Sequence, residues 1–309
     1  MTETTTVQWV NLIFNCQAAQ SEAVESALFE AGAASVTFED EFDQPIFEPK
    51  PGETPLWAIV RVKALFDRTA DRAPVHVTLQ QHFAVESITE EALPPKDWVR
   101  EWMDQYEPQC FGDRLWVVPS WLQAPVDDGA IANGEAVIVN LDPGVAFGTG
   151  THPTTAMCLH WIAQSLTTGA LKNGRVLDFG CGSGLLAIAA LKVGAAHATA
   201  VDIDEQAVEA TERNGVDNGV EAAIAVGLPD TLNAEDSFDA VLANILAGPL
   251  VELAPTLMSH LNPGGHIVLS GLLTEQSAHV QSAYPNVHWL AEHVTDDWVC
   301  LVGKAVEPN

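Results

Sequence analysis

A glycine-rich turn between an apolar strand and an apolar helix is the feature that most constrains this sequence. The apolar run 176–179 is followed by Gly180, Gly182 and Gly184, and the apolar segment 185–191 starts directly after the last of them. Glycine allows unusual backbone dihedral angles and lets a ligand approach the chain closely. In parallel α/β sheets a nucleotide-like ligand binds at this point, at the carboxyl end of the first strand. The sequence therefore predicts an α/β fold with a ligand site at this turn.

The spacing of the glycines distinguishes between classes of ligand. Dinucleotide-binding enzymes carry G-x-G-x-x-G, with the pyrophosphate at the helix N-terminus, whereas this chain reads D-x-G-x-G-x-G from Asp178 onward. A methionine-type nucleoside has no phosphate, so a tighter turn that presents backbone to an amino-acid moiety suits it better. The pattern favours S-adenosylmethionine (SAM) over a dinucleotide and makes Asp178, Gly180 and Gly182 candidate cofactor-binding residues. A purely structural tight turn is the alternative interpretation.

Two further polar residues end apolar, strand-like runs. Asp202 follows the glycine turn by about 20 residues, where a carboxylate can accept hydrogen bonds from both ribose hydroxyls. Asp204 is expected to cap the next helix instead. Asn244 ends the run 238–243 at the edge where this fold places its active-site crevice. Its side-chain oxygen could position an incoming amine, or it could contact the cofactor; an ordinary strand-end cap is the alternative.

A loop over residues 142–155 combines three glycines with hydroxyl residues ahead of a predicted helix. Such a loop can fold over a bound ligand and exclude water. Phe147 would then lie against the adenine ring or the methyl donor, which makes it a candidate cofactor-binding residue. A connecting loop that ends in a threonine N-cap is the alternative. His152 is a candidate general base only by its position in this loop, and a structural role is favoured for it.

The N-terminal part of the chain has a different pattern. Strand-like alternation and helical spacing follow one another in the order β-α-β-β-α-β, with strands predicted over 7–14, 34–39, 58–63 and 84–89 and helices over 24–31 and 69–83. This order is typical of the ferredoxin-like α+β fold.

From about residue 109, apolar strands alternate with helices, which indicates a mostly parallel sheet. Residues 287–290 and 298–302 are two strand candidates without a helix between them, so we expect an antiparallel edge. The chain is therefore predicted to contain a ferredoxin-like domain (1–92), a linker helix (93–108) and a Rossmann-like α/β domain (109–309).

The formal net charge of −29 bears on the choice of partners. A surface that negative repels phosphate backbones, which argues against direct binding of nucleic acid, and it attracts a lysine-rich protein. Solubility alone is the alternative explanation. No apolar stretch is long enough to predict a membrane-spanning helix, and the first residues lack the pattern expected of a signal peptide. The five scattered cysteines have no zinc-site spacing, so we expect a cytoplasmic protein without a metal site.

Five segments of the chain are more specific than the glycine motif, which alone would indicate only a SAM-binding enzyme. They are D-P-G-V-A-F-G-T-G-T-H-P-T-T (142–155), V-L-D-F-G-C-G-S-G (176–184), A-N-I-L-A-G-P-L (243–250), D-W-V-R-E-W-M (97–103) and F-G-D-R-L-W-V-V-P-S-W (111–121). Together these segments resemble the bacterial ribosomal protein L11 methyltransferases (PrmA). Related enzymes that methylate glutamine amides have N-P-P-Y where this chain reads N-I-L-A, which counts against an amide substrate.

The resemblance implies a class I methyltransferase domain preceded by a domain that recognises the substrate. It implies methylation of the N-terminal α-amine and lysine ε-amines of ribosomal protein L11, each to the trimethyl state. Carried over motif by motif, the cofactor contacts fall on Thr155, Gly180, Asp202 and Asn244, and Asn244 is also the predicted catalytic residue. Because assembled ribosomes expose phosphate, we expect the free protein to be the preferred substrate. The alternatives are a SAM-dependent methyltransferase of another basic protein or a small amine, and a non-catalytic SAM sensor.

Overall fold

The computed structural model describes residues 9–41, 57–83, 85, 87–93, 106–142 and 150–306. The chain divides into two compact units, Met1–Gln105 and Tyr106–Asn309. Most of the linker helix predicted over residues 93–108 lies outside the described residues. Within the ranges that are described, no helix is both long and apolar enough to cross a membrane.

The N-terminal unit is a four-stranded antiparallel sheet with two helices. Its strand order is β2-β3-β1-β4, with every neighbouring pair antiparallel, which confirms the predicted ferredoxin-like arrangement. One core joins the sheet to both helices, through residues such as Phe14, Leu28, Val62 and Leu79. The elements are β1 (Trp9–Gln17), α1 (Ser21–Glu30), β2 (Ser35–Asp40), β3 (Ile59–Asp67), α2 (Ala73–Phe83) and β4 (Thr89–Leu93).

The last strand of this unit was predicted in the wrong place. The sequence indicated residues 84–89, whereas β4 starts at Thr89. Val85 and Ile88 pack against the core from the segment that connects α2 to β4. Their apolar spacing therefore imitates a strand, because a connecting segment that lies over a core also buries some of its side chains.

The second unit is a three-layer α/β structure. Its elements are β5 (Gln109–Phe111), β6 (Leu115–Val118), α3 (Asp128–Ala132), β7 (Val137–Asn140), α4 (Pro153–Thr168), β8 (Arg175–Phe179), α5 (Leu185–Lys192), β9 (His197–Val201), α6 (Glu205–Asp217), β10 (Ile224–Gly227), β11 (Phe238–Asn244), α7 (Ala247–Glu252), α8 (Ala254–Ser259), β12 (Leu261–Leu273), α9 (Ser277–Ser282), β13 (Val287–Thr295) and β14 (Trp298–Ala305).

The main sheet of this unit has the order β10-β9-β8-β11-β12-β14-β13. Its first five strands are parallel, and β14 runs antiparallel to both of its neighbours, which confirms the predicted antiparallel edge. Successive residues of β8 pack into two different hydrophobic cores. Val176 packs into the core that contains α4 and α5, and Leu177 packs into the core that contains α7 and α8. The chain passes from β8 to β9 on one side and later to β11 on the other. Ligands bind at such a reversal of strand order.

A small sheet of β5, β6 and β7 precedes α4 and was not predicted from the sequence. Its strands have three or four residues each, too few for a period-two pattern to stand out. Phe111, Leu115 and Val139 pack into the same core as Ile162 of α4. The small sheet therefore extends the core beneath the helix that carries Thr155.

Candidate active site

A cavity of about 570 Å³ opens at the carboxyl ends of β8, β9 and β11, where the strand order reverses. This volume lies within the range of small-molecule sites, about 300–1,000 Å³. The predicted site residues that line it are Thr155, Gly180, Gly182, Asp202 and Asn244. Asp178 lies next to the cavity but does not line it, and Phe147 lies outside the described residues.

The glycine turn forms one wall of the cavity. Gly180, Gly182 and Gly184 have φ angles of 81°, 54° and 76°, a region that side chains other than glycine adopt only with strain. A Cβ atom on Gly184 would stand 2.6 Å from Cγ2 of Thr211 in α6, so the turn also depends on close approach between elements. The turn therefore brings the backbone at Gly180 and Gly182 to the cavity, and Cys181 and Ser183 of the same turn also line it.

Asp202 connects the end of β9 to the glycine turn. The Gly182 N–H donates to Asp202 Oδ2 over 2.9 Å, and the Asp204 N–H donates to Oδ1 over 3.1 Å. Each carboxylate oxygen retains capacity for a further donor. Asp204 caps α6 by accepting from the Gln206 N–H over 2.9 Å, which confirms its predicted structural role.

Asn244 stands at the end of β11 with its side chain held in one orientation. Its Nδ2 donates to Thr155 Oγ1 over 3.1 Å, while its Oδ1 is buried and has no hydrogen-bond partner within the described ranges. Leaving a buried acceptor unpaired costs about 1–3 kcal/mol. The arrangement therefore provides a fixed acceptor oxygen for a ligand N–H or O–H group.

Asp178 is buried behind the glycine turn, with a side-chain exposure of 1%. Its Oδ2 accepts from the Ala187 N–H over 3.0 Å, and its Oδ1 has no partner among the described residues. Burial raises the pKa of this carboxyl to about 7; the Ala187 hydrogen bond lowers it, and the charge of Asp202 raises it further. The carboxyl group can therefore change its charge near neutral pH.

His152 and Trp298 also line the cavity. His152 is the N-cap of α4, where Nδ1 accepts from the Thr154 N–H over 3.4 Å and lies 2.7 Å from Thr154 Oγ1. The N-cap is thus a histidine and not the threonine that the alternative interpretation of this loop required. The His152 ring meets Trp298 edge to face, with centroids 5.0 Å apart. Burial lowers the pKa of His152, which favours the neutral imidazole.

The buried residue Ser270 connects three elements that contribute residues to the cavity. Ser270 Oγ lies 3.1 Å from the carbonyl oxygen of Thr154 and 3.3 Å from that of Val299. The Ser270 carbonyl in turn accepts from the Ile245 N–H over 3.1 Å. The start of α4, the end of β11 and the start of β14 are therefore joined through one residue of β12.

Comparison of the whole sequence with known protein families agrees with the geometry of the site. The sequence model of the family described as ribosomal protein L11 methyltransferase (PrmA) matches residues 8–306. The chain belongs to the ribosomal protein L11 methyltransferase family. Its methyltransferase activity and its membership were both implied by the motifs at residues 142–155, 176–184 and 243–250.

Relatives in this family match over almost their whole length. The ribosomal protein L11 methyltransferase of Shewanella sp. (strain ANA-3) is 47% identical over 96% of this chain and 99% of its own. That of Shewanella amazonensis (strain ATCC BAA-1098 / SB2B) is 48% identical over 96% and 98%. A crystal structure of ribosomal protein L11 methylase from Lactobacillus delbrueckii subsp. bulgaricus matches with a TM-score of 0.57 and 32% identity, over 65% of this chain and 100% of that one.

Several lining residues of this L11 methyltransferase family member were missed by the sequence analysis. Ile203 lines the cavity and is 86% exposed; its position directly after Asp202 was a usable signal. Trp298 gave none, because β14 lies far from the motifs in sequence. The apolar residues that line the cavity also include Leu246, Pro249 and Leu253.

Proposed function

We propose that the chain transfers methyl groups from SAM to amines of ribosomal protein L11. The observation that carries the proposal is the side-chain oxygen of Asn244, which has no hydrogen-bond partner among the described residues and belongs to a side chain that lines the same cavity as the glycine turn and Asp202. A SAM-dependent amine methyltransferase needs a cofactor cradle and an acceptor for an amine N–H side by side. The choice of L11 rests on the family to which the chain belongs, that of the ribosomal protein L11 methyltransferases.

The lining residues suit SAM part by part. Gly180 and Gly182 present backbone to the amino-acid moiety, and Asp202 offers carboxylate oxygens to the ribose hydroxyls. Ile203 offers an exposed apolar side chain to the adenine ring. Thr155 and Asn244 then lie at the methyl-transfer end. Phe147 is proposed to cover the bound cofactor from the loop that precedes α4.

SAM supplies an activated methyl group, and the protein mainly orients the reactants. In the transfer, the amine nitrogen forms a bond to the methyl carbon while the carbon–sulfur bond breaks, releasing S-adenosylhomocysteine. Asn244 Oδ1 accepts a hydrogen bond from an amine N–H and so directs the nitrogen lone pair. The apolar side chains of Leu246, Pro249 and Leu253 desolvate the amine, which lowers its pKa and favours the reactive neutral form.

The proposed substrates are the N-terminal α-amine and lysine ε-amines of L11, each carried to the trimethyl state. The chain's net charge of −29 suits a basic protein partner. The same charge disfavours contact with ribosomal phosphate, so we propose that free L11 in the cytoplasm is preferred over L11 in the ribosome. Equal rates on both forms would contradict that preference.

The test is the intact mass of unmethylated L11 after incubation with SAM and three forms of the enzyme. The wild type is expected to give a ladder of methyl-sized steps. Asn244→Ala is expected to be slower by about 100-fold or more, because misplacing the reactants has an effect of this size. Asn286→Ala, at an exposed asparagine outside the cavity, is the matched control and should behave as the wild type.

Other outcomes point to the alternatives. SAM binding without any mass change on L11 would contradict this substrate. Equal rates on unrelated basic proteins, or on free lysine, would favour a broader amine methyltransferase. SAM binding with no turnover on any protein would favour a sensor.

A further inference from the structure

Trp298, the first residue of β14, lines the cavity, and its contacts lead to Thr155 and Asn244, which are assigned above to the methyl-transfer end. Its ring meets the ring of His152 edge to face, with centroids 5.0 Å apart and planes at 70°. His152 holds Thr154 at the start of α4, and the next residue, Thr155, accepts from the Asn244 side chain. A continuous set of contacts therefore joins the Trp298 ring to the proposed amine-binding oxygen.

The described lining of the cavity contains few charged side chains. Among the described residues that line the cavity, Asp202 is the one carboxylate, and it lies at the glycine turn. Leu246, Pro249 and Leu253 are apolar, and burial favours the neutral form of His152. A cation at the methyl-transfer end therefore meets aromatic and apolar side chains of the described lining rather than an opposite charge.

The chemistry of successive transfers makes this lining significant. A primary or monomethylated amine in its neutral form has an N–H group to donate to Asn244. A neutral dimethylated amine has none, so the same hydrogen bond is lost before the third transfer. In that transfer a nitrogen–carbon bond forms, the carbon–sulfur bond of SAM breaks, no proton leaves, and the product is a permanent trimethylammonium cation.

We propose that Trp298 orients the dimethylated amine and stabilises the methylated ammonium by cation–π contact, and so determines how many methyl groups the amine receives. The inference rests on the proposed amine methyltransferase function. Quaternary ammonium groups bind aromatic faces, and tryptophan is the strongest of these. The Trp298 ring supplies the contact that orients the amine once a methyl group has replaced its last N–H and the hydrogen bond to Asn244 is lost.

The experiment compares two forms of the same substrate protein: unmethylated L11, and L11 whose amines have been dimethylated chemically by reductive methylation. The value of kcat/KM with SAM is measured for the wild type, Trp298→Leu and Trp298→Phe. Trp298→Leu is expected to lose about tenfold more on dimethylated than on unmethylated L11, the size of a desolvated cation–π contact. With unmethylated L11 its products should accumulate as mono- and dimethyl forms. The loss of kcat/KM on dimethylated L11 for Trp298→Phe should lie between the values for the wild type and Trp298→Leu.

Trp289→Leu is the matched control. This tryptophan lies on the neighbouring strand β13, and its ring packs against Tyr284 outside the cavity. The ratio of its rates on the two substrate forms should equal that of the wild type. SAM binding by each variant is measured first, and if Trp298→Leu does not bind, the ratio for Trp298→Phe decides.

An equal fold-loss on both forms of L11 in the Trp298 variants would overturn the inference while leaving the proposed function intact. A wild-type enzyme that binds SAM and methylates neither form would instead contradict the proposed function itself.

Discussion

At the scale of single residues, the carboxyl group of Asp178 shows how burial can bring the pKa of a group close to neutral pH. Its ordinary pKa of 3.8 is raised to about 7, chiefly by burial, with the charge of Asp202 adding to the shift. Cys181 and Cys158 also lie within electrostatic reach of Asp178, and both are thiols whose raised pKa keeps them uncharged. The Ala187 N–H stabilises the charged form of Asp178 only in part.

Replacing Asp178 with asparagine is expected to stabilise the ligand-free protein in a pH-dependent way. The folded state binds the proton of Asp178 more tightly than the unfolded state does. The stabilisation that this proton gives the wild-type protein is therefore complete below pH 4 and is lost as the pH rises to about 7. A shift of about 3 units corresponds to about 4 kcal/mol as an upper limit. Asp178→Asn should therefore be more stable than the parent at pH 8 and lose that advantage towards pH 4.

The measurement is the free energy of unfolding in urea for both proteins at several pH values. Comparing the two chains at each pH removes the contribution of other titrating groups. A stability difference that stays constant from pH 4 to pH 8 would contradict a raised pKa at this position.

At the scale of elements, the sequence located the segments whose pattern is both long and repeated. The alternation in β1 and the strand–turn–helix of β8 and α5 were clear, because burial of one face or both imposes it directly. The short strands β5 to β7 were missed and β4 was misplaced. Val85 and Ile88 bury their side chains from a connecting segment, and no local pattern separates that case from a strand.

The turn between β8 and α5 can be tested through two glycines with similar backbone angles. Gly184 has a φ of 76°, and an added Cβ would stand 2.6 Å from Thr211. Gly169, at the end of α4, has a φ of 73°, and apart from its chain neighbours no atom of the described residues lies within 4 Å of an added Cβ. Gly169→Ala should therefore cost about 1–2 kcal/mol from backbone strain alone. Gly184→Ala should cost about 2–4 kcal/mol and also weaken SAM binding.

Urea unfolding and the Kd for SAM, measured on both variants, separate the two contributions. Equal losses of stability together with unchanged SAM binding would mean that α6 moves away at little cost. In that case the close approach of Thr211 would not define the turn.

At the scale of the whole molecule, the site is assembled from residues far apart in the sequence. Asp202 and Asn244 could be identified because each ends an apolar strand, and parallel strands end at one edge of a sheet. Trp298 could not, because its position depends on the antiparallel pairing of β14 with β12, where Trp298 lies opposite Leu273. A reversal of strand direction at the sheet edge is visible in the sequence, but the residue that it brings to the cavity is not.

The charge of the whole molecule should affect the protein substrate far more than the cofactor. With 13 lysines and arginines against 42 acidic residues, the net charge is −29, and such a field accelerates encounter with a basic protein by about 10- to 1,000-fold at low salt. We therefore expect kcat/KM for L11 to fall by about tenfold or more between 50 and 500 mM NaCl, since added salt screens long-range attraction. The Kd for SAM should change by less than about twofold, because its contacts lie within the cavity and act over short distances. A value of kcat/KM for L11 that does not depend on salt would mean that the acidic surface maintains solubility and takes no part in recognition.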